Sequence, residues 1–243
     1  MGIRGLTSLI NKHTDGCHTE KYIEDLSGSK FAIDSSILLY KYSHNSSKFP
    51  NSHISGFFNR TIMYLSKGIL PIYVFDGKPP VEKNHTINDR KEAKRKIYIK
   101  IEELQKEYDK DGGDWRIAKM NELRNQIVKV TMNQTLEVKE LLTILGIPVI
   151  QSPGDAEKTC GYLQGKGLVH YTVTDDTDAF TFNIKKVIKF KQTGKCLNIW
   201  DLDIMLSKLD LNYNEFVDLC ILAGCDYCPT IPRIGTISAF NLI

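Results

Sequence analysis

Short apolar runs, each closed by polar residues and separated from the next by a helical stretch, constrain the fold of this chain most strongly. The first four runs are rich in β-branched or aromatic residues, which is typical of strands, and a fifth follows; they lie at 30–34, 71–75, 147–150, 171–174 and 187–191. Strands that alternate with helices favour a parallel sheet, because parallel neighbours need a crossover connection. We therefore expect an α/β fold in which helices flank a mainly parallel central sheet.

Acidic residues follow the first four predicted strands, and ligands of parallel sheets bind beyond the carboxyl ends of the strands. A single acid in such a place is as readily the N-cap of the next helix, but repetition at four strands favours a shared site. Oxygen-only ligands select Mg²⁺ or Mn²⁺, and more acids than one octahedral ion can use suggest two ions in a phosphoryl transfer. The candidate acids are Asp34, Asp76, Asp155, Glu157, Asp175, Asp176 and Asp178, joined by Asp226, which follows a predicted helix.

The stretch TDDTD at 174–178 crowds three carboxylates behind one predicted strand. Residues two apart face the same way in an extended chain, so Asp176 and Asp178 can converge on one site while Asp175 points elsewhere. The alternation alone leaves the reverse choice open, with Asp175 directed inward.

Positive charge is concentrated in residues 83–100, which hold seven basic and two acidic residues, whereas the whole chain has a net charge of +3. Lys83, Arg90 and Lys94 lie nearly on one line of a helix at this spacing. Such a line, starting seven residues after Asp76, could hold a phosphate above the acids. The alternatives are a solvated helix face and, for KEAKRK, a nuclear-localisation patch.

Other phosphate and metal chemistries lack their residues. No Walker loop is present, and Asp34 is followed by two serines rather than by the second acid of an aspartyl-phosphate phosphatase. The C-x-x-C at Cys225 has no second pair at zinc-ligand spacing. No apolar run is long enough to span a membrane, and the first residues lack the apolar core of a secretion signal, so we expect an intracellular protein.

Six motifs together, in order and spacing, resemble the flap endonucleases and the wider XPG-type 5′ nucleases over nearly the whole chain: MGIRGL, FAIDSS, PIYVFDGKPP, GIPVIQSPGDAEKTC, TDDTDAFTF and LCILAGCDYC. The resemblance implies a PIN-like 5′ nuclease fold. It divides the single domain, residues 1–243, into an N-terminal part (1–80), a helical arch (81–133), an internal nuclease part (134–228) and the start of a helix-two-turn-helix (229–243).

The resemblance also implies residue roles. Two Mg²⁺ ions, which Mn²⁺ would replace, are expected among Asp34, Asp76, Asp155, Glu157, Asp176, Asp178 and Asp226, with Asp175 left out. Lys83 and Arg90 would contact the scissile phosphate and act in catalysis together with Asp176 and Asp178. The predicted DNA contacts are Tyr40, which would stack on a base, and Arg60, Lys83, Arg90, Lys94 and Gly235.

Three residues depart from the family pattern. Asp155 stands where glutamate is usual, Met63 replaces a second arginine, and Arg233 replaces a glycine of the helix-two-turn-helix, where a K⁺ ion would bind. The sequence stops at Ile243, within a predicted helix and without the tail that binds the sliding clamp in the family.

The activity implied is cleavage of a phosphodiester by a metal-activated water, one nucleotide into the duplex from a single-strand junction, in DNA replication, repair or recombination. The partners would be DNA with 5′ flaps, nicks or junctions, and no membrane; the protein would be a monomer in the nucleus or another site of replication. Two alternatives stay open: a 5′→3′ exonuclease of the same superfamily, and a catalytically silent protein that binds DNA junctions.

Overall fold

A computed structural model describes residues 2–13, 16–44, 49, 51–191 and 196–243. Its strands are β1 (His18–Tyr22), β2 (Lys30–Asp34), β3 (Leu70–Phe75), β4 (Val149–Gln151), β5 (Tyr171–Val173), β6 (Lys186–Phe190) and β7 (Cys196–Asp201). Its helices are α1 (Leu6–His13), α2 (Ser35–Ser43), α3 (Ser52–Ser66), α4 (Asn84–Asp111), α5 (Asp114–Gln126), α6 (Met132–Ile144), α7 (Ala156–Gly165), α8 (Leu202–Leu209), α9 (Tyr213–Ala223) and α10 (Thr236–Phe240).

The described strands form one seven-stranded sheet in the order β1-β7-β6-β5-β2-β3-β4. Strands β6, β5, β2, β3 and β4 are mutually parallel, whereas β7 runs antiparallel to both β6 and β1. The prediction of a mainly parallel sheet is therefore confirmed, with an antiparallel addition at one side. All five predicted strands form, and the third is shifted to Val149–Gln151.

Two strands were not predicted, and both belong to the antiparallel part. Strand β1 has the sequence HTEKY and is mostly exposed, so it lacks the apolar run that marks a strand. Strand β7, CLNIWD, is buried over much of its length. Strand β7 pairs with β1, which is distant from it in the sequence, and with β6, to which it is joined by a short connection.

Helices cover both faces of the sheet. Side chains of successive strand residues point to opposite faces, and apolar side chains on each face pack against helices. On β2, Phe31 and Ile33 belong to a core packed under α2, α3 and α6, while Ala32 belongs to the second core, under α1, α7, α8 and α9. Strand β2 lies between β3 and β5, so both its faces and both its edges are covered. Asp34, its last residue, is consequently buried and held in a fixed place.

The segment predicted as the helical arch contains a short 3₁₀ turn at Val81–Lys83 and helices α4 and α5. Leu104, Met120 and Leu123 form a small apolar cluster between these helices. The two helices are joined by a turn: α4 ends at Asp111, and Gly112 and Gly113 adopt positive φ angles of 70° and 103° before α5 begins.

The C-terminal end differs from the prediction in one respect. Helix α10 ends at Phe240, so the expectation that the sequence stops within a helix is wrong. Arg233 has a φ of 68°, the left-handed conformation that glycine adopts at little cost, so the chain keeps a glycine-like turn there with an arginine. Within the described residues, no helix is both long and apolar enough to cross a membrane.

Gly77 fixes the loop after β3 against the loop after β4. Its amide donates to the Gly154 carbonyl at 2.7 Å, and an added Cβ would lie 2.1 Å from the Ser152 carbonyl oxygen. We expect Gly77→Ala to lower the free energy of unfolding by about 1–3 kcal/mol in urea titrations, because the backbone must move apart. The control Gly165→Ala, at the end of α7 with nothing within 4 Å, should be neutral or stabilise by about 0.5–1 kcal/mol. Equal midpoints for the two variants would contradict this.

Candidate functional site

A cavity of about 790 Å³ opens at the carboxyl ends of β2, β3 and β5, where the sequence predicted a site. Six of the seven acids predicted as metal ligands line it, together with three of the residues predicted to contact DNA. The acids are Asp34, Asp76, Asp155, Glu157, Asp176 and Asp226, and the other three are Tyr40, Lys83 and Arg90.

The helix-cap interpretation is correct for some of these acids and does not remove them from the cavity. Asp34 caps α2 by accepting from the Ser36 amide at 3.1 Å, and its other oxygen accepts from the Thr174 hydroxyl at 3.0 Å. Asp76 accepts from the Ala156 amide at 2.7 Å and so caps α7 from a different loop. Asp155, which precedes α7, makes no cap hydrogen bond and directs its carboxylate elsewhere.

The alternation predicted the inward direction of Asp176 and the outward direction of Asp175, but it did not predict the place of Asp178, because the chain is no longer extended there. Asp176 lines the cavity, while Asp175 forms an ion pair with Lys41 and lines a smaller cavity behind it. Asp178 lies beside the main cavity: its amide donates to Asp176 Oδ1 at 3.0 Å, and its side chain lines an adjoining apolar space with Phe182. Its buried Oδ1 has no hydrogen-bond partner among the described residues.

Crowding and burial raise the pKa values of three acids. Burial, then repulsion from Asp76, raises the pKa of Asp34 to about 7. Burial, then repulsion from Asp34, raises the pKa of Glu157 to about 9. The pKa of Asp178 rises to about 7 through burial and the neighbouring Asp176, although Lys83 opposes this. These three carboxyl groups therefore resist ionising, because burial and neighbouring acids disfavour their charged forms.

Lys83 and Arg90, at the base of α4, line the cavity together with Lys78 and Lys139. Lys83, in the turn before α4, places its Nζ 3.1 Å from Asp155 Oδ1. Arg90 Nη2 donates to both carboxylate oxygens of Asp226, at 2.8 and 2.7 Å. The two residues thus lie over the acids as their spacing predicted, and in this structure each is paired with one of them.

The remaining predicted DNA contacts are divided. Tyr40, on α2, lines the cavity and is 37% exposed. Lys94 donates to the Val128 carbonyl at 3.2 Å and lies outside the cavity. Arg60 packs its guanidinium 4.5 Å from the centre of the Phe190 ring, and Gly235 precedes α10; neither lines the cavity.

A divalent cation fits the donors but not their present orientations. The donors are all oxygens, several resist ionising, and one buried carboxylate oxygen is unpartnered, which are the conditions that a hard cation relieves. Among the described residues, however, no three His, Cys, Asp or Glu side chains are arranged to hold an ion. Asp155 and Asp226 would first have to release Lys83 and Arg90.

The sequence analysis missed Tyr227, although it adjoins Asp226. Its hydroxyl donates to Asp155 Oδ2, and its ring lies under Lys83 with the Nζ 4.6 Å from the ring centre. Thr174, which holds both Asp34 and the Asp176 amide, was also missed. The only signal for either residue is that it neighbours a candidate acid in the sequence.

Comparison with known families matches two parts of the chain, the XPG N-terminal domain at residues 1–97 and the XPG I-region at 146–226. Together these ranges contain the seven predicted acids. The chain belongs to the XPG family. Flap endonuclease 1 of Plasmodium knowlesi is 38% identical, covering 100% of this chain and 44% of that protein. Flap endonuclease 1 of Chlamydomonas reinhardtii is 36% identical, covering 100% of this chain and 63% of that protein.

Two solved structures share the fold. The catalytic core of Rad2 in complex with DNA substrate matches with a TM-score of 0.76 and 29% identity, over 99% of this chain and 67% of that one. Flap endonuclease-1 from Methanococcus jannaschii matches with a TM-score of 0.71 and 26% identity, over 99% and 76% of the two chains. The predicted 5′ nuclease fold is confirmed. The chain spans roughly half the length of the flap endonucleases it matches in sequence.

Glu157→Gln should make the metal-free protein more stable at pH 8. A carboxyl whose pKa rises from 4.5 to about 9 on folding favours the folded state below pH 4.5, and this contribution is lost as the pH rises through 9. Removing the charge should therefore raise the free energy of unfolding at pH 8 in EDTA, on the order of a few kcal/mol, and less at pH 6. Urea titrations at both pH values measure this.

The matched control is Glu140→Gln, an exposed residue of α6, which should change stability at neither pH. Added Mg²⁺ should stabilise the wild type more than Glu157→Gln. A Glu157→Gln protein that is less stable than the wild type at both pH values would show that burial does not penalise this carboxylate.

Proposed function

We propose that the protein is a structure-specific 5′ nuclease that hydrolyses phosphodiester bonds at junctions between single-stranded and duplex DNA. The observation that carries the proposal is the cavity in which six carboxylates face two cations from the base of α4. Carboxylates suit metal ions and the cations suit a phosphate, so both partners of a metal-assisted phosphodiester hydrolysis find ligands in one place.

The acids are proposed to hold two Mg²⁺ ions, with Mn²⁺ as a substitute. Such ions supply an activated water and stabilise the charge on the attacking and leaving oxygens. Asp34 and Asp176 stand at the ends of adjacent strands β2 and β5 and are fixed by Thr174, so they are proposed as the inner ligands. Asp76, Asp155, Glu157, Asp178 and Asp226 complete the set.

Lys83 and Arg90 are proposed to exchange their carboxylate partners for the scissile phosphate. Both lie on the cavity wall, and Arg90 Nη2 donates to both carboxylate oxygens of Asp226, so its guanidinium already binds an oxyanion there. Tyr40 is half-exposed on the same wall and is proposed to stack on the adjacent base. Arg60, Lys94 and Gly235 are proposed to contact the DNA backbone away from the cavity.

Helices α4 and α5, within residues 81–133, are proposed to form the arch that admits a 5′ single strand. Their start carries the concentrated positive charge, and their joining turn lies at the far end of α4. The substrates are then DNA with 5′ flaps, nicks or junctions. By the same proposal the protein acts as a monomer where DNA is replicated or repaired, and a K⁺ ion binds near residues 229–243.

Asp176→Ala should abolish metal-dependent cleavage of a labelled 5′-flap duplex, by about a thousandfold or more, because several kcal/mol of charge stabilisation disappears. The matched control is the neighbouring Asp175→Ala, whose side chain pairs with Lys41 outside the cavity; its rate should stay within about twofold. Gel analysis of product lengths, with Mg²⁺ and with EDTA, measures both variants.

The same assay separates the alternatives. Release of mononucleotides from a nicked duplex, with little cutting at the flap, would favour the 5′→3′ exonuclease. Junction binding without cleavage in Mg²⁺ or Mn²⁺ would contradict the nuclease proposal and favour the silent binding protein. Equal loss of activity in Asp176→Ala and Asp175→Ala would mean that a position in the cavity does not distinguish a metal ligand from an acid outside it.

A further inference from the structure

A tight turn after α9 carries Asp226 into the cavity and Tyr227 into the apolar space that Asp178 and Phe182 also line. Cys225 and Cys228 form a single antiparallel bridge, and the Cys228 amide donates to the Cys225 carbonyl at 3.4 Å. The two residues between them, Asp226 and Tyr227, reach the two cations of the α4 base. Asp226 binds Arg90, while Tyr227 contacts Lys83.

Tyr227 makes three directed contacts. Its hydroxyl donates to Asp155 Oδ2, and its ring lies 4.6 Å from Lys83 Nζ. The edge of Phe182 packs against the same ring, with 6.0 Å between ring centres and an interplanar angle of 70°. The ring therefore packs against Phe182, directs its hydroxyl to the Asp155 carboxylate and presents its face to the Lys83 ammonium group.

Asp155 and Lys83 contact each other, and each also contacts Tyr227. One carboxylate oxygen of Asp155 faces Lys83 at 3.1 Å, and the other accepts from Tyr227. The side chains of Asp155 and Lys83 are only 12% and 17% exposed, so water competes little for these contacts. A hydrogen bond to a charged acceptor and a cation over an aromatic ring are both stronger when they are shielded in this way.

We propose that Tyr227 is a positioning residue that sets the directions of the Asp155 carboxylate and the Lys83 ammonium group. The inference rests on the proposed nuclease function. When Lys83 leaves Asp155 for a phosphate, the Tyr227 hydroxyl still holds Oδ2, so Oδ1 stays directed into the cavity. The Tyr227 ring meanwhile keeps the ammonium group at the cavity wall, within reach of both partners.

Tyr227→Phe isolates the hydroxyl, because it keeps the ring, the Phe182 contact and the platform under Lys83. Single-turnover cleavage should slow about tenfold, the usual effect of losing a hydrogen bond to a charged group, while the Kd for DNA stays within about twofold. Tyr227→Leu should slow cleavage further, because Lys83 loses its platform as well.

The matched control is Tyr213→Phe, which removes a hydroxyl that donates to the Thr181 carbonyl at 2.6 Å, in the 3₁₀ turn Asp178–Phe182 that also contains Phe182. Its cleavage rate should equal that of the wild type. Thermal unfolding of all variants separates a positioning effect from loss of the fold, because Tyr227→Phe is expected to melt no lower than Tyr213→Phe.

Two further measurements test whether Tyr227 acts through Asp155. In an Asp155→Asn background, adding Tyr227→Phe should cost no more than about twofold, whereas a merely structural role would give additive losses. Calorimetric titration of the DNA-free protein with Mn²⁺ should give a higher Kd for Tyr227→Phe than for the wild type. The Kd of Tyr213→Phe should equal that of the wild type.

The outcomes separate this inference from the function on which it rests. A wild type that cleaves nothing would overturn the proposed function, and the Mn²⁺ titration would still decide the role of Tyr227. Wild-type cleavage together with wild-type rate and Mn²⁺ affinity in Tyr227→Phe would overturn the inference and leave the nuclease proposal standing. Additive losses in the Asp155→Asn background would also overturn it.

Discussion

Mutual repulsion among carboxylates gathered at one edge of a parallel sheet is the constraint on which the rest of this structure depends. Burial makes the repulsion costly, as the raised pKa values of Asp34, Glu157 and Asp178 show. Hydrogen bonds from the α2 and α7 N-termini and two cations of the α4 base offset part of it. The core therefore has to hold a charged cluster that would otherwise spread into solvent.

The sheet can do this because its central strand is paired and packed on all sides. Strand β2 is paired on both edges and covered on both faces, so the position of Asp34 follows from the packing of Phe31, Ala32 and Ile33. The loops after β3 and β4 meet at Gly77 with no room for a side chain, which holds Asp76 beside the start of α7. The packing of the core therefore sets the positions of Asp34 and Asp76 at the site.

The places of most acids could be predicted from the sequence, because a residue that follows a strand stays at the strand's end whatever else the chain does. Their partners could not. Lys83 with Asp155, Arg90 with Asp226, and Tyr227 with both ends of the first pair are contacts across at least 72 residues. Strand β1 was missed because its charged sequence has no apolar alternation, and its place is set by pairing with β7. Arg60 shows the same limit, since its packing on Phe190 depends on β6.

The ion pairs at the α4 base make the proposed binding steps mutually dependent. Lys83 and Arg90 neutralise Asp155 and Asp226 as long as nothing else does, so each cation is unavailable to a phosphate. Once the acids have another positive partner, the cations lose their carboxylates but remain close to the cavity, one over the Tyr227 ring and one on a rigid helix. Divalent metal should then strengthen the binding of a phosphate there, and a phosphate should strengthen the binding of metal by the same factor, because coupling free energies are reciprocal. In this arrangement the first turns of α4 link the charge of the cavity acids to the charge of a bound phosphate.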